Sequence, residues 1–125
     1  MKLLFASLLL SLLLMSNGCP STPDQKLLFR QWLHLREADA NGQEEYRPTG
    51  YAFPPARGRS GVEFKSDGSF AYLNPAPNDA GTVAKPGRWE QDGANVLKVT
   101  VEGQSRRLEI VKLTETEMAL RWLNP

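Results

Sequence analysis

Side chains able to carry nucleophilic or metal chemistry are few in this chain. It has one histidine, His34, and one cysteine, Cys19. Any Ser/His/Asp or Cys/His set would have to be built on His34, the only group whose ordinary pKa lies near neutrality. His34 follows Trp32 by two residues and shares its face on an extended strand, which reads as a packed or rim position rather than a general base. One histidine and one cysteine cannot make a His/Cys metal cluster. Asp67, Asp79 and Asp92 stand in turn sequences, where aspartate bonds its own backbone. Asn78-Asp79-Ala80-Gly81 lacks the further carboxylates that calcium takes as ligands. No carboxylate pair is nominated by spacing for glycoside hydrolysis. The expectation is a protein that is not an enzyme and needs no cofactor.

Cys19 has a distinctive setting. Met1-Lys2 is followed by an apolar run from Leu3 to Met15 and then by Ser16-Asn17-Gly18-Cys19. One positive residue, an apolar run too short for a comfortable bilayer span and a small-residue exit are the three parts of a secretory signal. Gly18 before Cys19 resembles the lipobox of bacterial lipoproteins, with Ser16 where that pattern carries leucine. The resemblance implies that residues 1–18 are removed, that the Cys19 thiol is joined to diacylglycerol and that the freed amine is acylated. Ser16 and Gly18 also satisfy ordinary small-x-small cleavage, but a secreted product would then carry an unpaired thiol into an oxidising compartment. Lipidation is the preferred reading. Two or three acyl chains give a stable anchor. The absence of Asp after the cysteine favours the outer membrane if the source is Gram-negative.

Residues 19–26 then read as the lipidated cysteine and a short extended tether, because Pro20 and Pro23 disfavour helix. Without residues 1–18, 107 residues remain and the 14 Lys and Arg balance the 14 Asp and Glu. A neutral domain has no basic field for nucleic acid. Its length suits one domain with a modest core, which must be held by packing because no disulfide can form. Oligomeric state is not encoded in any feature of the pattern.

Residues 27–125 carry strand patterns between evenly spaced turns. Val62-Glu63-Phe64-Lys65 and Phe70-Ala71-Tyr72 flank Ser66-Asp67-Gly68-Ser69. A three-residue Ser66-Asp67-Gly68 loop with Gly68 left-handed would pair Phe64 with Phe70 and Val62 with Tyr72, giving one clean apolar face. Strands are also expected at 87–91, 96–101, 106–113 and 118–122, with residues 27–37 as a first strand preceded by a helical turn. In the 106–113 strand Leu108 and Ile110 share a face that Val111 and Leu113 do not, so a bulge shifts the phase or both faces are partly covered. The expected fold is an all-β antiparallel meander of about seven strands curling into a barrel or half-barrel.

Trp32 with Leu33-His34-Leu35, the hairpin Phe64 to Phe70, Gly87-Arg88-Trp89 and the hairpins that follow resemble, in their order, the small lipocalin-like domains of bacterial lipoproteins. The resemblance covers residues 27–123. It implies a barrel that binds a ligand, with Trp32, Phe64, Phe70, Tyr72, Trp89 and Trp122 as candidate cavity lining. Arg121 would match the late arginine that packs on the first-strand tryptophan. The Gly-x-Trp of lipocalin first strands is replaced by Arg30-Gln31-Trp32. The inward set Val62, Phe64, Phe70, Tyr72, Trp89, Leu97, Val99, Met118, Leu120 and Trp122 is bulky, so a filled core is preferred to a lipid-sized cavity.

Asn41 to Gly61 breaks the strand pattern, and a loop of that length is functional or disordered in most compact domains. Tyr51, Phe53, Arg57 and Arg59 form its candidate binding surface for an anionic ligand or a protein. As a lid, the same segment would plug the sheet with its aromatics and pair its arginines with Glu44, Glu45 or Asp79; the lid is preferred. Two functions remain open: a membrane-anchored carrier or sensor of a small hydrophobic molecule, and an envelope interaction protein with a filled core that uses loop 41–61.

Overall fold

The computed structural model describes residues 25–56, 58–77 and 81–123. The expected signal segment, Cys19, the tether up to Asp24, Arg57 and Asp79 lie outside the described residues. Eight strands form a closed barrel in the order β1-β2-β8-β7-β6-β5-β4-β3. They are β1 (Gln31–His34), β2 (Glu44–Pro48), β3 (Gly61–Phe64), β4 (Ser69–Pro75), β5 (Thr82–Gln91), β6 (Val96–Val101), β7 (Gln104–Leu113) and β8 (Met118–Leu123). Every neighbouring pair is antiparallel. From β3 to β8 the chain is a meander. The first two strands depart from it: β1 lies between β2 and β3, and β2 closes the barrel against β8, Tyr46 opposite Met118. Residues 49–60 therefore cross over β1 to connect β2 to β3.

The barrel has eight strands rather than seven, and the additional one is β2, inside the stretch expected to lack periodicity. Its sequence Glu44-Glu45-Tyr46-Arg47-Pro48 holds one large apolar side chain, Tyr46, which is buried. Hydrophobic alternation cannot reveal a strand whose other positions are charged or proline. The first strand is correspondingly shorter than 27–37: β1 keeps four residues between single 3-10 turns at Gln25–Leu28 and Arg36–Ala38. β5 starts five residues earlier than expected, running through Pro86 opposite Ala71. Proline removes a ladder donor, which is why a strand is not read through it.

Turn chemistry sets the registers. Phe64 pairs with Phe70 and Val62 with Tyr72, as the three-residue loop requires. Gly68 has φ 93°, its N–H donates to Lys65 O, and the Asp67 carboxylate accepts the Ser69 N–H at 2.8 Å. In β7 the pairing slips between Ile110 and Lys112, which places Val111 outside at 40% exposure and returns Leu113 to the core side. Of the two alternatives that the sequence leaves open for this strand, the structure has the bulge.

The interior is filled. Trp32, Val62, Phe64, Val99, Leu108, Met118 and Leu120 are each less than 2% exposed. Tyr72, Trp89 and Trp122 pack against them from the rims. The Trp32 indole N–H donates to Leu28 O at 3.1 Å, so the largest core side chain also has its polar atom satisfied. Two glycines allow close backbone approach. A Cβ at Gly61 would lie 2.2 Å from Trp32 O, and one at Gly87 would lie 2.3 Å from Thr100 O.

Candidate functional site

Between β2 and β3 the described residues 49–56 and 58–60 form a strap beside β1, where the His34 N–H donates to Ser60 O at 2.8 Å. Arg59 is its anchor: buried, it donates to both carboxylate oxygens of Glu37 at 2.9 Å, to His34 O at 3.0 Å and to Pro54 O at 2.8 Å. Its guanidinium lies 4.8 Å from the centre of the Phe53 ring. The bidentate bond from Arg59, helped by a backbone bond, holds the Glu37 carboxyl at about 2, well below its ordinary 4.5. Phe53 meets Tyr51 edge-on at 4.9 Å, and Arg47 of β2 lies 5.7 Å from the Tyr51 ring. Arg47 is itself paired with Glu45 at 3.0 Å and Glu117 at 3.6 Å. Of the candidate binding residues, Tyr51, Phe53 and Arg59 thus come together in one strap. Tyr51 is the most exposed of these three, at 44%; Phe53 is part-buried and Arg59 is buried.

Two ends of the barrel flank this wall. At the entry end, where Gln25 joins the fold, the 3-10 turn Gln25–Leu28 caps the opening and buries Leu28. Phe29 packs on Trp89 at 6.0 Å, and Arg30 covers the Trp32 ring at 5.3 Å while donating to Glu115 O. The arginine over the first-strand tryptophan is therefore Arg30. Arg121 instead pairs with Glu109 at 2.9 Å, because it alternates with the core-side Trp122 and takes the outer face.

At the far end, Glu44 Oε1 accepts the Tyr46 hydroxyl at 2.8 Å and the Trp122 indole N–H at 3.0 Å. Burial, together with the Glu44 charge, pushes the Tyr46 hydroxyl far above its ordinary range, so it stays a donor. Arg106 sits 4.0 Å over Trp122, and His34 stacks on Tyr46 at 4.9 Å. His34 Nε2 is 2.8 Å from Asp39 Oδ2, and Asp39 Oδ1 accepts the Glu45 N–H. An Asp–His pair suggests base chemistry, yet among the described residues no hydroxyl or thiol hydrogen-bonds to His34. The pair ties the β1–β2 connection to the rim. No group of three or more His, Cys, Asp and Glu suited to a metal ion is found among the described residues.

The six candidate lining residues meet each other. Phe64 lies 5.1 Å from Phe70 and 6.1 Å from Trp89, Phe70 lies 5.0 Å from Tyr72, and Tyr72 lies 6.4 Å from Trp122. Trp32 is fully buried among them. Among the described residues, only Phe70 of these six borders either of two free spaces. A cavity of about 210 Å³ sits under the entry-end turn, lined by Gln25, Leu28, Gln91, Asn95, Leu97, Ile110 and Leu113. A groove of about 260 Å³ runs along β3–β5 beside Glu63, Lys65, Ala71, Ala84 and Pro86. The first was hidden from sequence reasoning because Asn95 reads as a turn residue, Gln91 as the polar end of a strand and Gln25 as tether. No family model matches the chain, and no curated protein or solved structure is significantly similar to it.

Proposed function

We propose that this chain is an exported, membrane-anchored envelope lipoprotein whose lipocalin-like barrel acts by binding and not by catalysis. The anchor is the lipid on Cys19, supported by the signal-like residues 1–18 and by Gly18 before the cysteine. Five residues separate Cys19 from Gln25, and at about 3.5 Å each they hold the entry end close to the bilayer. The outer membrane is the expected site if the source is Gram-negative.

The observation that decides what such a barrel can bind is its filled interior. Drug-sized ligands occupy pockets of about 300–1,000 Å³, and here the aromatic side chains that would line such a pocket touch one another. This supports a ligand smaller than a lipid, or an envelope protein met at the surface of the barrel, over an acyl-chain carrier. A titration of the full chain, held in zwitterionic micelles, with a dansyl-labelled undecanoic acid tests the point. Fluorescence should rise only with the linear partition of the probe into micelles. Saturable uptake at one equivalent per chain would show a lipid cavity and defeat the reading.

A further inference from the structure

We infer that the exposed edge of β5, from Thr82 to Pro86, takes up an extended segment of a second protein as an added antiparallel strand, with an acidic residue facing Lys85 and a β-branched aliphatic one facing Val83. The registers leave this edge open. β4 pairs with β5 from Thr82 to Arg88, whereas β6 pairs only with Arg88 to Gln91. Residues 82–86 are all exposed, Val83 at 51%. Two hydrogen bonds fix which way their peptide groups point. Ala76 N–H donates to Gly81 O at 2.8 Å at one end of the β4–β5 ladder, and Trp89 N–H donates to Gly68 O at 2.9 Å at the other. Alternation between these bonds directs the backbone groups of Gly81, Val83, Lys85, Gly87 and Trp89 toward β4. Thr82, Ala84 and Pro86 therefore direct theirs outward, and no hydrogen bond to these outward groups is found among the described residues. The proline, which has no N–H, falls where β4 needs none.

An added strand brings its side chains closest at Val83 and Lys85, the positions between the outward hydrogen bonds. Val83 is open apolar surface, and Lys85 holds only an exposed ion pair with Glu102 at 3.5 Å, which solvent screens. An antiparallel segment that reads acid-x-Val or acid-x-Ile matches both. Lysine and proline guard edges against indiscriminate pairing; here they leave the Thr82 and Ala84 donors to a segment that satisfies the lysine. The position of the edge argues against a second copy as its occupant. Gln25 bonds Gln91 at the opposite end of β5, about 17–30 Å along the strand from residues 86 and 82 at about 3.3 Å per residue. Antiparallel pairing of two copies would point their Gln25 ends in opposite directions, and two anchors on Cys19 could not reach one bilayer. The same geometry presents the edge on the side of the barrel away from the membrane, where a partner protein meets it.

The inference rests on the reading that the barrel meets an envelope protein at its surface; acylation of Cys19 is scored separately, by lipid label and not by peptide binding. The test is titration of the full chain, in zwitterionic micelles, with the capped peptide Thr-Glu-Thr-Val-Thr, followed by amide NMR. Saturable shifts are expected at the Thr82 and Ala84 amides, half-complete at about 1 mM or below. Methylating the backbone nitrogen of the central threonine, which faces Ala84, should weaken binding about tenfold. Methylating that of the valine, which faces away, should weaken it less than about twofold. A peptide with lysine in place of glutamate should bind about threefold more weakly, and Lys85→Glu should reverse that preference. Ala84→Pro keeps the β4 ladder, removes an outward donor and should abolish binding. No saturable shift at the two amides, or equal loss from the two methylations, overturns strand addition. Equal binding of the glutamate and lysine peptides overturns the assigned chemistry. Thr82 shifts that grow with protein concentration without peptide, and vanish in Ala84→Pro, give the edge to a second copy and overturn the partner proposed.

Discussion

Arg59 shows how a residue that reads as a ligand-binding cation can be consumed by the fold. Its Nη1 and Nη2 groups make four hydrogen bonds, two to the Glu37 carboxylate and one each to Pro54 O and His34 O, and removing the guanidinium leaves both carbonyls unpaired beside a buried cavity. Arg59→Ala should lower stability by about 2–4 kcal/mol, read as a fall in the thermal midpoint, and Arg59→Lys should not restore it because an ammonium cannot bond bidentately. The salt bridge also carries a pH signature. The folded pKa of Glu37 is depressed, to about 2 from 4.5, so its contribution is complete above about pH 4.5 and disappears as the pH falls toward 2. The stability gap between the wild type and Glu37→Gln should be constant above that value and close below it; a gap that widens on acidification contradicts the assignment. The sequence suggested that the loop arginines pair with acids. It did not reveal Glu37, 22 residues from Arg59 and in a 3-10 turn that has no pattern of its own.

At the level of elements, the hairpin Val62 to Tyr72 was legible because a turn type and one apolar face both demanded the same register. The break in alternation at Val111 was legible too, but it fitted a bulge or partial cover on both faces, and only the pairing decides for the bulge. β2 was not: four of its five residues are charged or proline, and its place is set by β1 and β8, which lie on either side in space but not in sequence. The crossover that follows is likewise a property of topology. Barrel closure then depends on two glycines without unusual backbone angles. Gly61→Ala would push a methyl group into Trp32 O, and Gly87→Ala into Thr100 O and the Val101 side chain. Each should destabilise the barrel by about 3 kcal/mol, whereas Gly103→Asn, at φ 78° with open space around it, should cost under about 1 kcal/mol. Denaturant midpoints compare the three directly, and equal effects would remove the close-approach explanation.

For the whole molecule, the bulk of the inward side chains favoured a filled core over a lipid-sized cavity, and those side chains are buried against one another. The location of free space was not foretold, because the entry-end cavity depends on how a polar 3-10 turn folds over the ends of β5, β6 and β7. Under the proposed function such a barrel carries no acyl chain inside. Its proposed relation to the membrane is instead covalent, through a cysteine that would otherwise be a lone thiol. The most direct measurement of that claim is metabolic labelling of cells expressing the full chain with an alkyne fatty acid, followed by fractionation. Label is expected on a membrane-associated band about 18 residues shorter than the precursor, lost in Cys19→Ala. An unlabelled soluble product, or label that persists in Cys19→Ala, would contradict it.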